Sequence, residues 1–274
     1  MNTRPYRPRA VHATVMAMIS TKDDTWLAGV DGCPGAWLAV FARPDGVILP
    51  PRIVKRFADV AFGDERPAII AVDMPIGLPE QSPAGGRLAE REARALLGER
   101  RSSVFRIPSR RAVEASVAPE PADARERFFA ACAVARETSD DSKGFAKQGF
   151  YILDKVTEVD AFLRAYDDHV GRVFETHPEL AFVMMNDGAP LELPKKVKSR
   201  VYPPGLDLRR ALLVRAGIDE SVAAMKAPKG ASDDDLIDAL ACLITARRLF
   251  RREARSWPEN PPRDEHGLPM AIWA

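Results

Sequence analysis

The sequence predicts an α/β fold, in which a mixed sheet of three antiparallel strands followed by two parallel strands carries helices on both faces. Three observations support this fold class. Three apolar strands joined by turns come first, two further strands are separated by helical segments, and a long helix follows the last of them. A chain of 274 residues, 46% of them hydrophobic, can bury one sizeable core. We therefore expect a single domain over residues 26–274, after a disordered tail over 1–25.

The first three strands are expected to form consecutive hairpins. Residues 26–31, 36–43 and 47–54 are largely apolar, and the segments between them, 32–35 and 43–46, are rich in Gly, Pro and Asp. These residue types favour tight turns, so each strand should pair antiparallel with the next.

The fourth and fifth strands are far apart in the sequence. A short helix over 55–62 leads to the fourth strand, residues 68–73, and the fifth strand is at 171–176. Strands joined by a long helical connection can lie parallel in one sheet. We therefore expect a helical insertion over about residues 80–168.

Most of this insertion has helical composition. Residues 88–97 form a helix that ends at Gly98, and residues 122–137 form another. Residues 147–166 place apolar side chains at helical spacing, which predicts one long amphipathic helix. The basic stretch 100–111 is expected to be irregular.

The C-terminal part is expected to be mostly helical. Pro178 suits the first turn of a helix after the fifth strand, and a connector rich in Pro and Lys leads to a further helix. The remaining expected elements are the connector 194–205, a helix over 206–216, a helix over 233–252 with Ser232 as its N-cap, and an edge strand over 268–273. This order of elements is that of the ribonuclease H-like fold, with an enlarged segment between strands four and five.

Bulk properties narrow the class of protein only slightly. The net charge of +1 neither favours nor excludes nucleic acid, because local clusters matter more than the sum. Cys33, Cys132 and Cys242 are widely spaced, which predicts free thiols in a reducing compartment. No apolar run approaches the roughly 18 residues that span a bilayer. We expect a cytoplasmic protein without a membrane partner, its oligomeric state open and a homodimer among the alternatives.

Acidic residues end several of the expected elements. Asp31 closes the first strand, Asp73 closes the fourth, and Glu175 lies in the fifth. Asp235 and Asp238 are three apart on the last helix and therefore share a face. Carboxylates that converge at a sheet edge can hold hydrated Mg²⁺ or Mn²⁺, so these five residues are the candidate catalytic groups. The four aspartates are also the candidate metal ligands.

Simpler explanations exist for some of these acids. Turn formation alone accounts for either Asp31 or Asp73, although less well for both together with Asp238. Asp233 and Asp234 suit the first turn of a helix, where negative charge is favourable. Asp234 is also four residues from Asp238, so it is an alternative partner on that helix.

The basic stretch 100–111 interleaves arginines with serines and Phe105, a composition that favours phosphate contacts and stacking on a base. His177 is a candidate general base or phosphate contact, with a purely structural hydrogen bond as the alternative. The candidate substrate-binding residues are Arg100, Arg101, Ser102, Ser103, Arg106, Arg110, Lys147 and His177.

Several motifs together resemble the uncharacterised-domain family numbered 429, whose members are usually described as predicted ribonuclease H-like nucleases. The motifs are Gly-Val-Asp-Gly-Cys-Pro-Gly-Ala-Trp at 29–37, Val-Asp-Met-Pro-Ile-Gly-Leu at 72–78, Arg-Arg-Ser-Ser-Val-Phe at 100–105, Lys-Gln at 147–148, Glu-Val-Asp at 158–160, Glu-Thr-His-Pro-Glu at 175–179 and Asp-Asp-Leu-Ile-Asp-Ala at 234–239. They occur in order, and the resemblance runs from about residue 26 to 273.

The resemblance implies a nuclease that cleaves DNA or RNA with Mg²⁺ or Mn²⁺. By analogy with ribonuclease H-like and resolvase enzymes, Asp31 and Asp73 are implied strand ligands, and Asp235 and Asp238 an implied helix pair. Glu175 is implied either as a ligand or as a group that orients Lys147 or an arginine. Two alternatives remain: an actin-like nucleotide-binding phosphotransferase or hydrolase, and a non-catalytic nucleic-acid-binding protein.

Overall fold

A computed structural model describes residues 25–198 and 200–274. The expectation of a disordered tail over 1–25 therefore falls almost entirely outside the described residues. No helix within the described ranges is long and apolar enough to cross a membrane.

The centre of the fold is a five-stranded mixed sheet. Its strands are β1 (Leu27–Cys33), β2 (Ala36–Ala42), β3 (Arg52–Val54), β4 (Ile69–Val72) and β5 (Val173–Glu175), in the order β3-β2-β1-β4-β5. The pairs β1–β2 and β2–β3 are antiparallel, whereas β1–β4 and β4–β5 are parallel. The predicted α/β class with a mixed sheet is confirmed, and β1 lies between the antiparallel and the parallel strands.

Helices surround this sheet and fill the long connection between β4 and β5. They are α1 (Phe57–Phe62), α2 (Leu88–Leu96), α3 (Arg110–Val117), α4 (Ala124–Glu137), α5 (Lys147–Phe150), α6 (Leu153–Ala165), α7 (Pro178–Met185), α8 (Pro203–Arg215), α9 (Glu220–Ala223) and α10 (Asp233–Arg251). Two 3₁₀ helices, Gly98–Ser103 and Asp167–His169, lie in the same connection. Short strand pairs join β6 (Lys196–Val197) to β7 (Arg200–Val201), and β8 (Ser256–Trp257) to β9 (Ile272–Trp273).

Apolar side chains cover both faces of the sheet, because successive residues of a strand point to opposite sides. In β1, Leu27 belongs to the core shared with α7, α8 and α10, whereas Ala28 and Val30 belong to the core shared with α1 and α6. At Gly29 the backbone of α10 comes so close that an added Cβ would lie 2.2 Å from the Ala239 carbonyl oxygen. The long C-terminal helix is thus seated directly on the central strand.

Some predicted boundaries were wrong for identifiable reasons. The third strand, expected over 47–54, is reduced to β3, because Pro50 and Pro51 lack the N–H that a ladder needs. The helix expected over 147–166 is divided into α5 and α6 by a turn at Tyr151 and Ile152. The edge strand expected over 268–273 is limited to β9.

The basic stretch 100–111 is more regular than expected. Its first residues belong to the 3₁₀ helix Gly98–Ser103, and its last two begin α3. Ser109 is the N-cap of α3, because its hydroxyl accepts a hydrogen bond from the Ala112 amide. The predicted connector 194–205 likewise contains β6 and β7, and the helix expected from 206 begins at Pro203.

Candidate metal centre

Three aspartates lie together at the edge of the sheet formed by the C-terminal ends of β1 and β4. Asp31 lies in β1, Asp73 directly follows β4, and Asp238 lies in the second turn of α10. Each offers one carboxylate oxygen such that all three oxygens lie within 4.8 Å of one another. Asp31 and Asp238 are each only 7% exposed. The structure therefore brings together three of the four predicted metal ligands.

The close seating of α10 on β1 explains this convergence. Asp31 is two residues beyond Gly29 and therefore points to the same face of the strand. The helix backbone reaches that face at Ala239, next to Asp238 in the sequence. The side chains of Asp31 and Asp238 meet because Gly29 lets the two backbones approach.

Burial and neighbouring negative charges act on all three carboxyl groups. Burial and the charge of Asp73 raise the pKa of Asp31 well above its ordinary value, and burial and Asp238 do the same for Asp73. Burial raises the pKa of Asp238 to about 6, against the opposing effect of Lys195. The group is therefore short of positive charge when all three are ionised.

Lys195 supplies one positive charge to this group. Its Nζ donates to Asp238 Oδ2 and lies 4.0 Å from Glu179 Oε1. Burial acts to lower the pKa of Lys195, but Asp238 and Glu179 raise it overall, so the ammonium group stays charged. Sequence reasoning did not identify Lys195, since its pairing with α10 is visible only in the folded chain.

Glu179 and Arg209 fix the surroundings of Lys195. Arg209 is fully buried and donates to both carboxylate oxygens of Glu179, at 3.0 and 2.6 Å. At Gly205 an added Cβ would lie 1.8 Å from the Pro194 carbonyl oxygen, so α8 also holds the chain just before Lys195. Glu179 could have been identified from the sequence, because it ends the Glu-Thr-His-Pro-Glu motif. Arg209 lies in none of the motifs, so nothing in the sequence indicated its role.

The three aspartates fit a divalent cation. Asp238 Oδ1 is buried and has no hydrogen-bond partner among the described residues, although its other oxygen accepts from Lys195. A buried acceptor without a partner costs about 1–3 kcal/mol, and a cation would satisfy it. An all-carboxylate donor set suits the hard cations Mg²⁺ and Mn²⁺.

Asp235 and Glu175 lie outside this group of three. The Asp235 carboxylate accepts a hydrogen bond from the Ser232 amide at 2.8 Å, closing a capping box at the start of α10. Its negative charge nevertheless contributes to raising the pKa of Asp31. The fourth predicted aspartate thus acts on the site from the helix cap.

Glu175 is held by an arginine. Its two oxygens accept from the Ile76 amide and from the Arg87 guanidinium, both at 2.7 Å. Arg87 also donates to Glu90 and to the Ile76 and Gly77 carbonyls, so it is fully engaged and buried. Burial raises the pKa of Glu175 to about 7 despite the Arg87 charge. Of the two roles considered for Glu175, these contacts match the orientation of an arginine.

A cleft of about 350 Å³ opens beside the aspartates. Asp73 and Asp238 line it together with four of the predicted substrate-binding residues, Arg100, Ser102, Ser103 and His177. The Nε atom of Arg100 is buried without a hydrogen-bond partner in the described structure, and the guanidinium group makes a 3.4 Å contact to exposed Glu99. Arg100 is therefore a cation available to an anion in the cleft.

The other predicted substrate-binding residues lie elsewhere. Arg106 pairs with Asp141 at 2.6 Å, and Arg110 is buried between Asp160 and Asp264 at 2.7 Å each. Neither lines the cleft, and Arg101 and Lys147 are exposed and do not line it either. The structure gives Arg106 and Arg110 structural ion pairs.

His177 faces the cleft as a neutral ring. Its Nε2 lies 3.3 Å from the Ser103 carbonyl oxygen, which assigns the proton to that nitrogen. Burial lowers its pKa to about 4. The Nδ1 atom is buried and has no partner within the described residues, so it is left as an acceptor.

Comparison with known proteins gives one match. Residues 29–263 match the model of a family described as "Protein of unknown function (DUF429)". The chain matches no curated protein and no solved structure.

Proposed function

The chain belongs to the DUF429 family, and from the geometry of its site we propose that it is a metal-dependent nuclease that hydrolyses phosphodiester bonds of DNA or RNA. The observation that carries this proposal is the convergence of Asp31, Asp73 and Asp238 within 4.8 Å. Carboxylates from separate elements that meet at a sheet edge can hold the divalent cations on which metal-assisted phosphodiester cleavage depends.

The strand arrangement supports a ribonuclease H-like version of this fold. Three antiparallel strands precede two parallel ones, and the acids lie on the first strand, after the fourth strand and on the closing helix. Fold analogy alone does not assign an activity. In this chain the analogy and the position of the acids point to the same end of the sheet.

Asp31, Asp73 and Asp238 would hold Mg²⁺ or Mn²⁺. When bound, such an ion polarises a phosphoryl oxygen and lowers the pKa of a coordinated water. Lys195 offsets part of the carboxylate charge, and Arg100 offers a charged contact to the entering phosphate. Burial of the acids keeps bulk water away from these charges and strengthens their interactions.

The test is a cleavage assay with wild-type protein, Asp31→Asn and Asp238→Asn on single-stranded, duplex, hybrid and branched substrates. Asparagine keeps the shape but loses the charge that binds the cation. We expect cleavage with Mg²⁺ or Mn²⁺, none in EDTA, and a loss of roughly 10²-fold or more in each variant.

Asp207→Asn is the matched control, because Asp207 is 68% exposed and pairs with Arg210 on the surface of α8. It should cleave like the wild type. Cleavage that persists in EDTA, or variants as active as the control, would remove the metal-dependent mechanism.

A further inference from the structure

A second, inner pocket of about 120 Å³ adjoins the cleft. The two spaces share Asp73, Ser103, Phe105 and His177, so a molecule in the cleft can extend into the inner pocket past one of the metal-binding aspartates. The volume far exceeds the roughly 10–15 Å³ that holds one water molecule. It has room for a planar ring system.

The walls of the inner pocket are largely apolar. Met74, Ile107 and Ile152 line it, and Phe105 adds an aromatic ring. The charged residues Arg87, Glu90 and Glu175 also line it, but they are engaged with one another. Apart from Asp73, which lies between the inner pocket and the cleft, the lining residues that the structure describes therefore offer no unpaired charged group.

Two polar atoms at this pocket lack partners. Thr176 and His177 line it, and both Thr176 Oγ1 and His177 Nδ1 are buried without a hydrogen-bond partner in the part of the chain that the structure describes. A hydroxyl can donate or accept, and the bare ring nitrogen accepts. Apolar walls with a few convergent polar groups are typical of a pocket for a heterocycle.

We propose that the inner pocket binds the base of an unpaired nucleotide whose phosphate lies beside Asp73, so that the substrate is a single strand or a flipped-out nucleotide. The position of the inner pocket behind Asp73 agrees, because a base that stays stacked in a duplex cannot enter it. Phe105 would stack on the base, as aromatic residues do in sequence-tolerant single-strand binding. The cleavage part of this proposal rests on the nuclease function proposed above, whereas the binding part does not.

The experiment measures binding of an oligonucleotide that carries one 2-aminopurine, with Ca²⁺ in place of Mg²⁺. The same strand is tested alone and annealed to its complement. We expect the wild type to bind the single strand at least tenfold more tightly than the duplex, with a change in 2-aminopurine fluorescence. The preference for the single strand should be smaller in Phe105→Ala and Thr176→Val. It should be abolished in Ile152→Trp, because Ile152 lines the inner pocket but not the cleft, and the larger side chain would fill the pocket.

Phe129→Ala is the matched control, since Phe129 is 52% exposed and lines neither space. If circular dichroism shows that Ile152→Trp does not fold, Phe105→Ala and the near-isosteric Thr176→Val decide whether the inner pocket binds the base. Equal binding of single strand and duplex, or variants that bind like Phe129→Ala, would overturn the base pocket. Single-strand binding without any Mg²⁺-dependent cleavage would keep the pocket and reject the nuclease. If single strand and duplex are both cleaved, and the pocket variants cleave them as the wild type does, the nuclease function is kept and the base pocket is rejected.

Discussion

The two carboxylate oxygens of Asp238 have different surroundings. One of its oxygens accepts from Lys195, and the other is buried without a partner in the described structure. With Asp31 and Asp73 beside it, one lysine faces three carboxyl groups, and their pKa values rise accordingly. These three carboxyl groups therefore favour either binding a cation or staying protonated.

Metal-free protein should lose stability as the pH rises from about 4.5 to 7. Burial raises the pKa of Glu175 to about 7 and that of Asp238 to about 6, so the folded chain holds protons there that the unfolded chain has released. Each of these groups should contribute a loss of about 1.4 kcal/mol per pH unit. The pKa of His177, lowered from 6.5 to about 4, acts in the opposite direction and offsets about one such group below pH 6.5. Urea unfolding in EDTA across this range measures the net loss.

Asp73→Asn should flatten this dependence, because it removes a carboxyl group whose own pKa is raised well above its ordinary value and whose charge raises the pKa of Asp31. Mg²⁺ should restore the stability of the wild type at pH 8 by binding the ionised carboxylates, and should not do so in the variant. A wild-type stability in EDTA that increased between pH 4.5 and 7 would contradict the assignment.

Lys195→Met should lower the melting temperature without metal and tighten Mg²⁺ binding. The ammonium group neutralises the carboxylates in the absence of metal, and it competes with the metal for Asp238. A gain of about tenfold in affinity corresponds to roughly 1.4 kcal/mol. Isothermal titration with Mg²⁺ measures it.

Lys226→Met is the matched control, because Lys226 is 84% exposed and pairs with Asp233 at the surface of the same helix. Its Mg²⁺ affinity should equal that of the wild type. Weaker Mg²⁺ binding by Lys195→Met would instead make the lysine a supporter of the metal.

At the scale of elements, the contact between β1 and α10 decides whether the site exists. Gly29→Ala places a methyl group 2.2 Å from the backbone of α10 at Ala239 and Leu243, which cannot move aside as a flexible side chain can. We expect a loss of at least about 1–3 kcal/mol of stability and of the Mg²⁺-induced gain in melting temperature. Thermal unfolding with and without Mg²⁺ tests both.

Gly149→Ala is the comparison, since an added Cβ there meets nothing within 4 Å. It should be close to neutral because Gly149 lies in the short helix α5. If Gly29→Ala keeps the wild-type response to Mg²⁺, α10 does not need this close approach to position Asp238.

The elements that the sequence predicted best are those with strong local signals. The ends of β1 and β4 follow apolar runs closed by turn residues, and α10 begins at its predicted N-cap, Ser232. The helix α3 was missed because its two arginines read as an exposed charged coil, although Ser109 is a good N-cap. Burial of Arg110 depends on Asp160 and Asp264, which are distant in sequence.

The candidate site was predicted in the same uneven way. Asp31, Asp73 and Asp238 follow from strand ends and helix position, and the structure brings them together. The ion pairs of Lys195 with Asp238 and of Arg87 with Glu175 could not be predicted from the sequence. Each pair joins segments that only tertiary packing brings into contact. Local pattern indicates where a carboxylate lies, whereas its partner is set by the fold.

For the molecule as a whole, charge around the cleft should control how nucleic acid binds. Arg100 and Lys196 line the cleft, but Lys196 pairs with Asp234 at 2.7 Å, whereas Arg100 makes only a 3.4 Å contact to exposed Glu99 in the described structure. Arg106 and Arg110 are engaged in ion pairs away from the cleft. Arg100→Ala should therefore reduce the slope of log affinity against log salt by about 0.7–0.9, the effect of one lost phosphate contact. Titrations of a single strand at several salt concentrations measure the slope.

Arg125→Ala serves as the control, because Arg125 lies over the Phe129 ring in α4 and does not line the cleft. Its slope should match that of the wild type. An unchanged slope in Arg100→Ala would assign that arginine a role other than phosphate contact.

The distance in sequence between Asp31 and Asp238 has a consequence for protein synthesis. The first ligand emerges from the ribosome early, but the cation site is complete only when α10 has been translated and has docked on β1. A growing or truncated chain therefore lacks the carboxylate from α10. Any activity that needs all three aspartates is therefore withheld until translation of the domain is nearly finished.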